Sequence, residues 1–170
     1  MENNELEMIK KEIEEVREQI NTYIQYPEIF EDELTEASKQ IEKQLTSEKN
    51  MKKATYILDM KMTREKQRNS LTQDLNEMIN NPSTSEEARK EASSMKIQLV
   101  KDQEAELKIE NILSTKGFEN ALVYISEGKV NVVVSEEKLD ESDAAKIFDL
   151  VAEQADVKYE NIKLMNNNKN

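Results

Sequence analysis

The chain contains no cysteine, no histidine and no tryptophan among its 170 residues. Without cysteine there can be no disulfide and no thiolate metal site. Without histidine, the commonest general base and the commonest metal ligand are both missing. Aromatic residues make up only 5% of the chain, so no aromatic-lined cleft for a sugar is expected. These absences argue against an enzyme, a small-molecule substrate, a cofactor and a metal site.

Long apolar runs are also missing. No stretch of about 18 apolar residues is present, so nothing here is expected to span a membrane. The first residues, MENNELEMIKKEIEE, are acidic and lack the apolar core of a signal peptide. Two interpretations stay open: a cytosolic protein, or a protein whose membrane-anchoring segment is absent from this chain.

Only two glycines and two prolines are present, which is typical of long helices with little loop. The net charge of −12 argues against nucleic-acid binding, which needs a basic face. This charge is uneven. Residues 1–50 carry 14 acidic and 6 basic residues, whereas residues 51–115 carry 11 of each. Residues 1–50 therefore form a separate acidic helical or linker segment.

The start of this acidic segment has the pattern of a coiled coil. Over residues 4–25, apolar side chains alternate at spacings of three and four, as in an a/d seam. The seam consists of Leu6, Ile9, Ile13, Val16 and Ile20. Pro27 ends this helix, and a second helix is predicted from about residue 30 to residue 46. The two helices form either an acidic hairpin or a marginal segment that folds only against something else.

Residues 51–115 predict a long antiparallel helical hairpin. Its first helix runs from about residue 49 to residue 80, before Pro82. Its second helix begins at a capping box of Thr84 and Glu87 and ends near residue 115, where Gly117 supplies the left-handed residue. One apolar stripe of the first helix is expected to comprise Ala54, Leu58 and Met62. Each helix would be about 45 Å long, so the hairpin should project beyond the domain that follows.

Residues 109–165 predict a compact αββαβ domain that shares the end of the second hairpin helix. Two strands, 119–125 and 130–134, are joined by a tight turn at Gly128. A helix capped by Asp140 leads to a third strand over residues 161–165. Residues 166–170 are expected to form a disordered tail. The predicted fold class is therefore α+β, with a three-stranded sheet that leaves one face or an edge strand uncovered.

The valine-rich second strand, together with Tyr124 of the first strand, is the candidate partner site. An edge strand of β-branched residues is a platform to which a partner can add a strand, although a core strand covered by its own helices would look the same. The candidate contact residues are Tyr124, Val130, Asn131, Val132, Val133 and Val134.

A basic run on the first hairpin helix allows two interpretations, a partner-facing patch or a charge-paired hairpin. The run comprises Lys52, Lys53, Lys61, Arg64, Lys66 and Arg68. If the hairpin folds about Pro82, Arg64 comes within a turn of Asp102 and Glu104, which favours pairing. The acidic residues between 136 and 143 do not have the spacing of an EF-hand and are interpreted as a solvated loop and helix cap.

Several segments carry a family resemblance. They are MTREKQR at 62–68, IENIL at 109–113, KGFENALV at 116–123, GKVNVVV at 128–134, AAKI at 144–147 and ENIK at 160–163, with Leu139 and Val151. Over residues 51–165 the chain resembles the extracytoplasmic domain of the stage III sporulation protein AH family of endospore-forming bacteria. KGFENALV and the hairpin after it are the more specific part of this resemblance.

The resemblance implies a sporulation structural protein that is not an enzyme. The family's domain looks like the ring-building motif of secretion-system and flagellar basal-body proteins. It would lie in the space between mother cell and forespore, anchored in the mother-cell membrane by a segment absent here. There it would bind the forespore protein called stage II sporulation protein Q and self-associate into a ring or oligomer, as part of a channel-like complex. The alternative is a soluble coiled-coil adaptor without a membrane role, in which the seam near the N-terminus drives oligomerisation.

Overall fold

A computed structural model describes residues 2–168 of the chain. The elements follow one another as α1 (Glu2–Gln25), α2 (Pro27–Thr46), α3 (Glu48–Met51), α4 (Tyr56–Asn80), α5 (Glu86–Thr115), β1 (Ala121–Ser126), β2 (Lys129–Val134), α6 (Glu141–Ala155), a single 3-10 turn (Tyr159–Asn161) and β3 (Ile162–Asn166). Long helices thus precede a small sheet, which confirms the predicted α+β class.

The sheet has the order β1-β2-β3. β1 and β2 run antiparallel, and β2 and β3 run parallel after the crossover through α6. The β1–β2 turn has positive φ at both central residues, 53° at Glu127 and 76° at Gly128, as a type I′ hairpin turn requires. Because it pairs with β1 on one side and with β3 on the other, β2 is the central strand. The interpretation of this strand as a sheet edge is wrong.

Both faces of the sheet are covered. On one face, Val123, Val132 and Val134 pack with Ile109 and Leu113 of α5 and with residues of α6. On the other face, Leu122, Tyr124 and Val133 pack with residues of α2 and α4, which are Ile41, Leu45, Tyr56 and Met60. The expectation of an open face is corrected, because α2 folds back over the sheet. Part of the acidic segment thus belongs to the core of the sheet.

A separate core joins the four long helices at the end of the hairpin distant from the sheet. It contains Ile20, Tyr23, Phe30, Leu75, Met78, Ala92 and Leu99. The rings of Tyr23 and Phe30 meet edge to face at a centroid distance of 4.9 Å. From Ile20 onwards, therefore, the acidic segment is packed against the hairpin.

The first hairpin helix differs from its prediction. It begins at Tyr56 rather than near residue 49, because α3 is a separate single turn. Leu58 and Met62 are exposed, whereas Tyr56 and Met60 are buried. The Tyr56 hydroxyl donates to the buried Leu45 carbonyl at 2.7 Å. This contact with α2 helps to fix which side of α4 faces the core.

Two predicted helix ends need small corrections. The N-cap of α5 is Ser85, whose hydroxyl accepts from the Ala88 amide at 3.1 Å. Thr84 instead donates from its buried hydroxyl to the Met78 carbonyl, which would otherwise lack a partner at the end of α4. The predicted left-handed residue Gly117 (φ 101°) is present, and Asp140 accepts from the Asp143 amide at 2.8 Å.

The predicted disordered tail is partly ordered structure. Asn166 is the last residue of β3, and the buried Asn167 donates from its side chain to the Met51 and Lys53 carbonyls. These bonds connect the end of β3 to the segment between α3 and α4. Residues 169–170 of the predicted tail lie outside the described residues.

Candidate functional site: the two edges of the sheet

The outer edge of β1 is occupied by charged side chains of the hairpin. The Val123 amide donates to Glu110 Oε2 at 2.9 Å, and the Ile125 amide donates to Glu106 Oε2 at 2.7 Å. The carbonyls of the same two residues also have partners. Arg64 Nη1 donates to the Val123 carbonyl at 2.6 Å, and Arg68 Nη2 donates to the Ile125 carbonyl at 2.9 Å.

We call Arg64, Arg68, Glu106 and Glu110 the charged edge cluster. Its members also pair with one another, at 2.6 Å between Arg64 Nη1 and Glu110 Oε2 and at 3.0 Å between Arg68 Nη2 and Glu106 Oε2. Each side chain therefore binds both an opposite charge and the strand. An unpaired strand edge is a template for another strand, and this cluster removes the template from β1.

Burial sets the electrostatics of the cluster. Arg68 is 3% exposed and Glu106 is 2% exposed. Burial raises the pKa of Glu106 to about 7, although Arg68, the Ile125 amide and Arg64 all favour its charged form. The Arg68 guanidinium also lies over the Tyr124 ring, 5.1 Å from its centroid. Because a buried charge without its partner is strongly destabilising, the cluster has to stay intact.

The basic run was correctly interpreted as a charge-paired hairpin for three of its members. Lys61, Arg64 and Arg68 all pair with glutamates of α5. The partners differ from those predicted, since Glu106 and Glu110 lie further from the hairpin turn than Asp102 and Glu104. Glu106 and Glu110 are placed to pair with the basic residues because both also accept hydrogen bonds from the backbone of β1.

The outer edge of β3 is different. The Asn167 amide donates to the Val134 carbonyl at 2.7 Å, so strand alternation directs the backbone groups of Met165 and Lys163 towards β2 and those of Leu164 and Asn166 outwards. Among residues 2–168, no group bonds the outward N–H or C=O of Leu164 or Asn166. This short edge is therefore open to a further strand.

A groove of about 510 Å³ adjoins the start of this open edge, between α2 and the first residues of β2 and β3. Four exposed lysines line it, Lys39, Lys43, Lys129 and Lys163, with Glu42 and Glu160 beside them. On a chain with net charge −12, this is a local surplus of positive charge. A ligand entering here along β3 would meet lysines first.

All six residues predicted to contact a partner are buried. Their exposed fractions range from 0% at Val132, Val133 and Val134 to 8% at Asn131, with Tyr124 and Val130 at 1%. In this structure they are core residues, so a direct contact by their side chains does not fit their position. The open edge lies one strand further, in β3, which the sequence reasoning did not single out.

The described residues offer little for other chemistry. Within residues 2–168, no cluster of three or more aspartate or glutamate side chains is arranged to hold a metal ion. None of the helices in that range is both long and apolar enough to cross a bilayer. With one sheet edge blocked and one open, the chain is an α+β domain that can take a further strand at β3.

Comparison with known proteins identifies the family. The sequence profile described as SpoIIIAH-like protein matches residues 1–164, so the chain belongs to the SpoIIIAH-like family, and the resemblance found in the sequence is confirmed. The chain is 31% identical over 100 residues to stage III sporulation protein AH of Bacillus subtilis (strain 168). That match covers 59% of this chain and 44% of the relative, so the chain corresponds to less than half of that protein.

A solved structure supports the same fold. The chain is similar to a chain of the SpoIIQ-SpoIIIAH pore forming complex, with a TM-score of 0.54 and 28% sequence identity. The superposition covers 66% of this chain and 93% of the other. Neither matched protein is named as an enzyme.

Proposed function

We propose that this chain is a structural component of a sporulation complex and binds the ectodomain of stage II sporulation protein Q (SpoIIQ). Its site of action is the space between mother cell and forespore, where the two proteins contribute to a channel-like assembly. Membership of the SpoIIIAH-like family and the likeness to a chain of the SpoIIQ-SpoIIIAH complex support this proposal.

The observation that carries the mechanism is the difference between the two sheet edges. The charged edge cluster occupies the backbone groups of β1, whereas Leu164 and Asn166 of β3 present free N–H and C=O groups. An extended partner segment can add to such an edge through main-chain hydrogen bonds. The partner strand therefore binds along β3, outside the predicted contact residues on β1 and β2.

Charge selects the partner segment. The lysine-lined groove lies where the added strand would pass the start of β3. Opposite charges steer association and fix register more than they raise affinity. The segment that adds to β3 is therefore acidic at the end that meets Lys163 and Lys129.

The same domain packs side by side with its copies. A contact between unlike surfaces of neighbouring copies closes into a ring when the rotation between them closes. The αββαβ region, residues 109–165, is the part of the chain that would build this ring, with the hairpin and the acidic segment as its outer layers.

Titration calorimetry with the purified SpoIIQ ectodomain of the same organism tests the proposal. Leu164→Pro removes the outward N–H of the β3 edge, where proline is sterically tolerated. Leu164→Ala is the matched control, because it loses the same apolar contact and keeps the N–H. We expect the wild type and Leu164→Ala to bind and Leu164→Pro to lose binding while its circular dichroism stays that of a folded chain.

Charge reversal tests the groove. Lys163→Glu and Lys129→Glu should each weaken the complex and reduce its dependence on salt concentration, whereas Lys158→Glu, at an exposed lysine outside the groove, should leave it unchanged. No complex at micromolar concentrations would contradict the partner assignment. If the Leu164→Pro variant bound the SpoIIQ ectodomain as tightly as the wild type, the contact would lie away from β3.

A further inference from the structure

The first part of α1 is an exposed helical stretch whose end, at Val16, Arg17 and Gln19, lines grooves shared with α2 and α4. Every residue from Glu2 to Gln19 is exposed, and Ile20 is the first buried residue among those described. Leu6, Ile9, Ile13 and Val16 lie on this stretch and are 45–56% exposed. An isolated helix of this length is marginal in water, so an apolar face of this kind needs a covering surface.

The apolar face is a heptad seam rather than a scatter of apolar residues. Leu6, Ile13 and Ile20 occupy a positions, and Ile9 and Val16 occupy d positions. Ile20 continues the seam into the helical core, where the chain covers it with its own residues. The exposed part is thus the unpaired continuation of a face that the protein already uses for packing.

The residues beside the seam carry complementary charges. The g positions are Glu5 and Glu12, and the e positions are Lys10 and Arg17. In a parallel coiled coil, a g residue of one helix faces the e residue of the next heptad on its neighbour. Glu5 would then face Lys10 of the other copy, and Glu12 would face Arg17.

The same pattern disfavours the antiparallel arrangement. There g faces g and e faces e, so Glu5 and Glu12 would face glutamates while Lys10 and Arg17 would face basic residues.

The charge of this stretch also disfavours a lipid surface as its partner. Residues 2–19 carry seven acidic and three basic residues, and an anionic membrane attracts basic amphipathic helices.

We infer that residues 5–16 of α1 form a parallel coiled coil with the same segment of further copies of this chain. The β-branched residues at both d positions, Ile9 and Val16, favour three or four helices over two. The exposed seam spans fewer than two full heptads, so the association is weak and requires high local concentration. It is carried by α1 alone and does not depend on the proposed binding of SpoIIQ at β3.

A pair of single charge reversals tests the inference on the full chain. Glu5→Lys and Lys10→Glu each place like charges across the seam, so each variant alone should associate roughly tenfold more weakly than the wild type. An equimolar mixture should regain association, because positions 5 and 10 carry opposite charges wherever one variant lies beside the other. Arg17 is left unchanged because it also lines a groove against α4.

Matched controls lie close by on the outward face of α1. Glu7→Lys and Lys11→Glu make the same charge changes outside the seam and should leave self-association unaltered. Sedimentation equilibrium from micromolar to millimolar concentration is the readout. A chain that stays monomeric throughout, or variants of Glu5 and Lys10 that associate as well as the wild type, would overturn the inference.

Orientation can be read separately, because the chain has no cysteine of its own. In a parallel coil, Leu6→Cys brings two introduced thiols together, and mild oxidation should give a disulfide-linked species. In an antiparallel coil, Leu6 would face Val16 of the other copy. Cross-linking that needs Leu6→Cys mixed with Val16→Cys would therefore overturn the parallel arrangement.

Discussion

At the scale of single residues, the charged edge cluster decides which strand is available. Arg68 and Glu106 are nearly fully buried, and both bind the backbone of Ile125. A buried ion pair can often be replaced by apolar residues without loss of stability. Here the pair also supplies the hydrogen-bond partners of a strand edge, so its replacement leaves the Ile125 N–H and C=O unpaired.

The double variant Arg68→Met/Glu106→Leu should therefore be less stable than the wild type, by about 2 kcal/mol or more, since each orphaned buried group costs about 1–3 kcal/mol. Urea unfolding measures this. Lys61→Met is the control, because Lys61 is part of a more exposed pair and its loss should change stability by about 0–1 kcal/mol. A double variant as stable as the wild type would show that the cluster is not needed as the hydrogen-bond partner of the β1 backbone.

Glu106 should make the stability of the protein depend on pH. Burial raises its pKa from 4.5 to about 7, so between these values the folded chain binds more protons than the unfolded chain. Stability should therefore fall as pH rises through this window, by about 3 kcal/mol at most from this group.

Urea unfolding across this pH range tests that dependence by comparing the wild type with Glu106→Gln, whose side chain does not titrate. The other groups are common to both proteins, so the difference between their unfolding free energies isolates Glu106. If the unfolding free energies of the two proteins changed with pH in the same way, the pKa of Glu106 would not be raised.

At the scale of elements, local patterns predicted most helices and strands, and tertiary contacts decided the rest. The sharp turns at Gly117 and Gly128 were predicted correctly, because the backbone has positive φ at both positions and glycine adopts such angles most easily. Of the two interpretations of β2, the sheet edge was wrong because it rested on β-branched residues alone, and the core strand covered by helices is what the structure has. Residues 130–134 are a nearly continuous apolar run, which is the pattern of a strand buried on both faces.

The apolar side of α4 could not be read from its own sequence. Leu58 and Met62 are as apolar as Met60, yet Tyr56 and Met60 face the core because α2 lies against them. Likewise, the residues that close the edge of β1 are distant in sequence, and nothing in a single sequence relates Glu106 to Ile125. The open edge of β3 follows from the crossover through α6, which places a parallel strand beside β2.

Tyr56→Phe tests the contact between α2 and α4. The change removes the donor to the buried Leu45 carbonyl while keeping the ring, so we expect a loss of about 1–2 kcal/mol in unfolding free energy. Tyr26→Phe, at a half-exposed tyrosine between α1 and α2, should change stability little. Equal effects of the two changes in urea unfolding would mean that the Tyr56 hydroxyl does not hold α2 in place.

At the scale of the whole molecule, the acidic segment has two different parts. Residues 2–19 lie outside the cores, whereas Ile41 and Leu45 of α2 cover Leu122, Tyr124 and Val133 of the sheet. The two parts should therefore respond differently to truncation. We infer that the free part serves self-association, whereas the packed part belongs to the fold.

Deleting residues 1–16 should leave the unfolding transition nearly unchanged and abolish the part of self-association that the seam of α1 carries. Deleting residues 1–50 should expose the second face of the sheet, so that the chain binds a hydrophobic dye and scatters light. Both outcomes follow from which buried residues each deletion removes. A well-folded, non-aggregating chain without residues 1–50 would show that α2 is dispensable for covering the sheet.

The central claim is that a SpoIIQ strand adds to β3 while β1 stays closed. Amide hydrogen exchange, followed by NMR on this chain with and without the SpoIIQ ectodomain, tests it most directly. We predict that the outward amides of Leu164 and Asn166 become protected in the complex, whereas Val123 and Ile125, already bonded to Glu110 and Glu106, change little. Protection that appears along β1, or a complex that leaves the amides of β3 unprotected, would contradict the account.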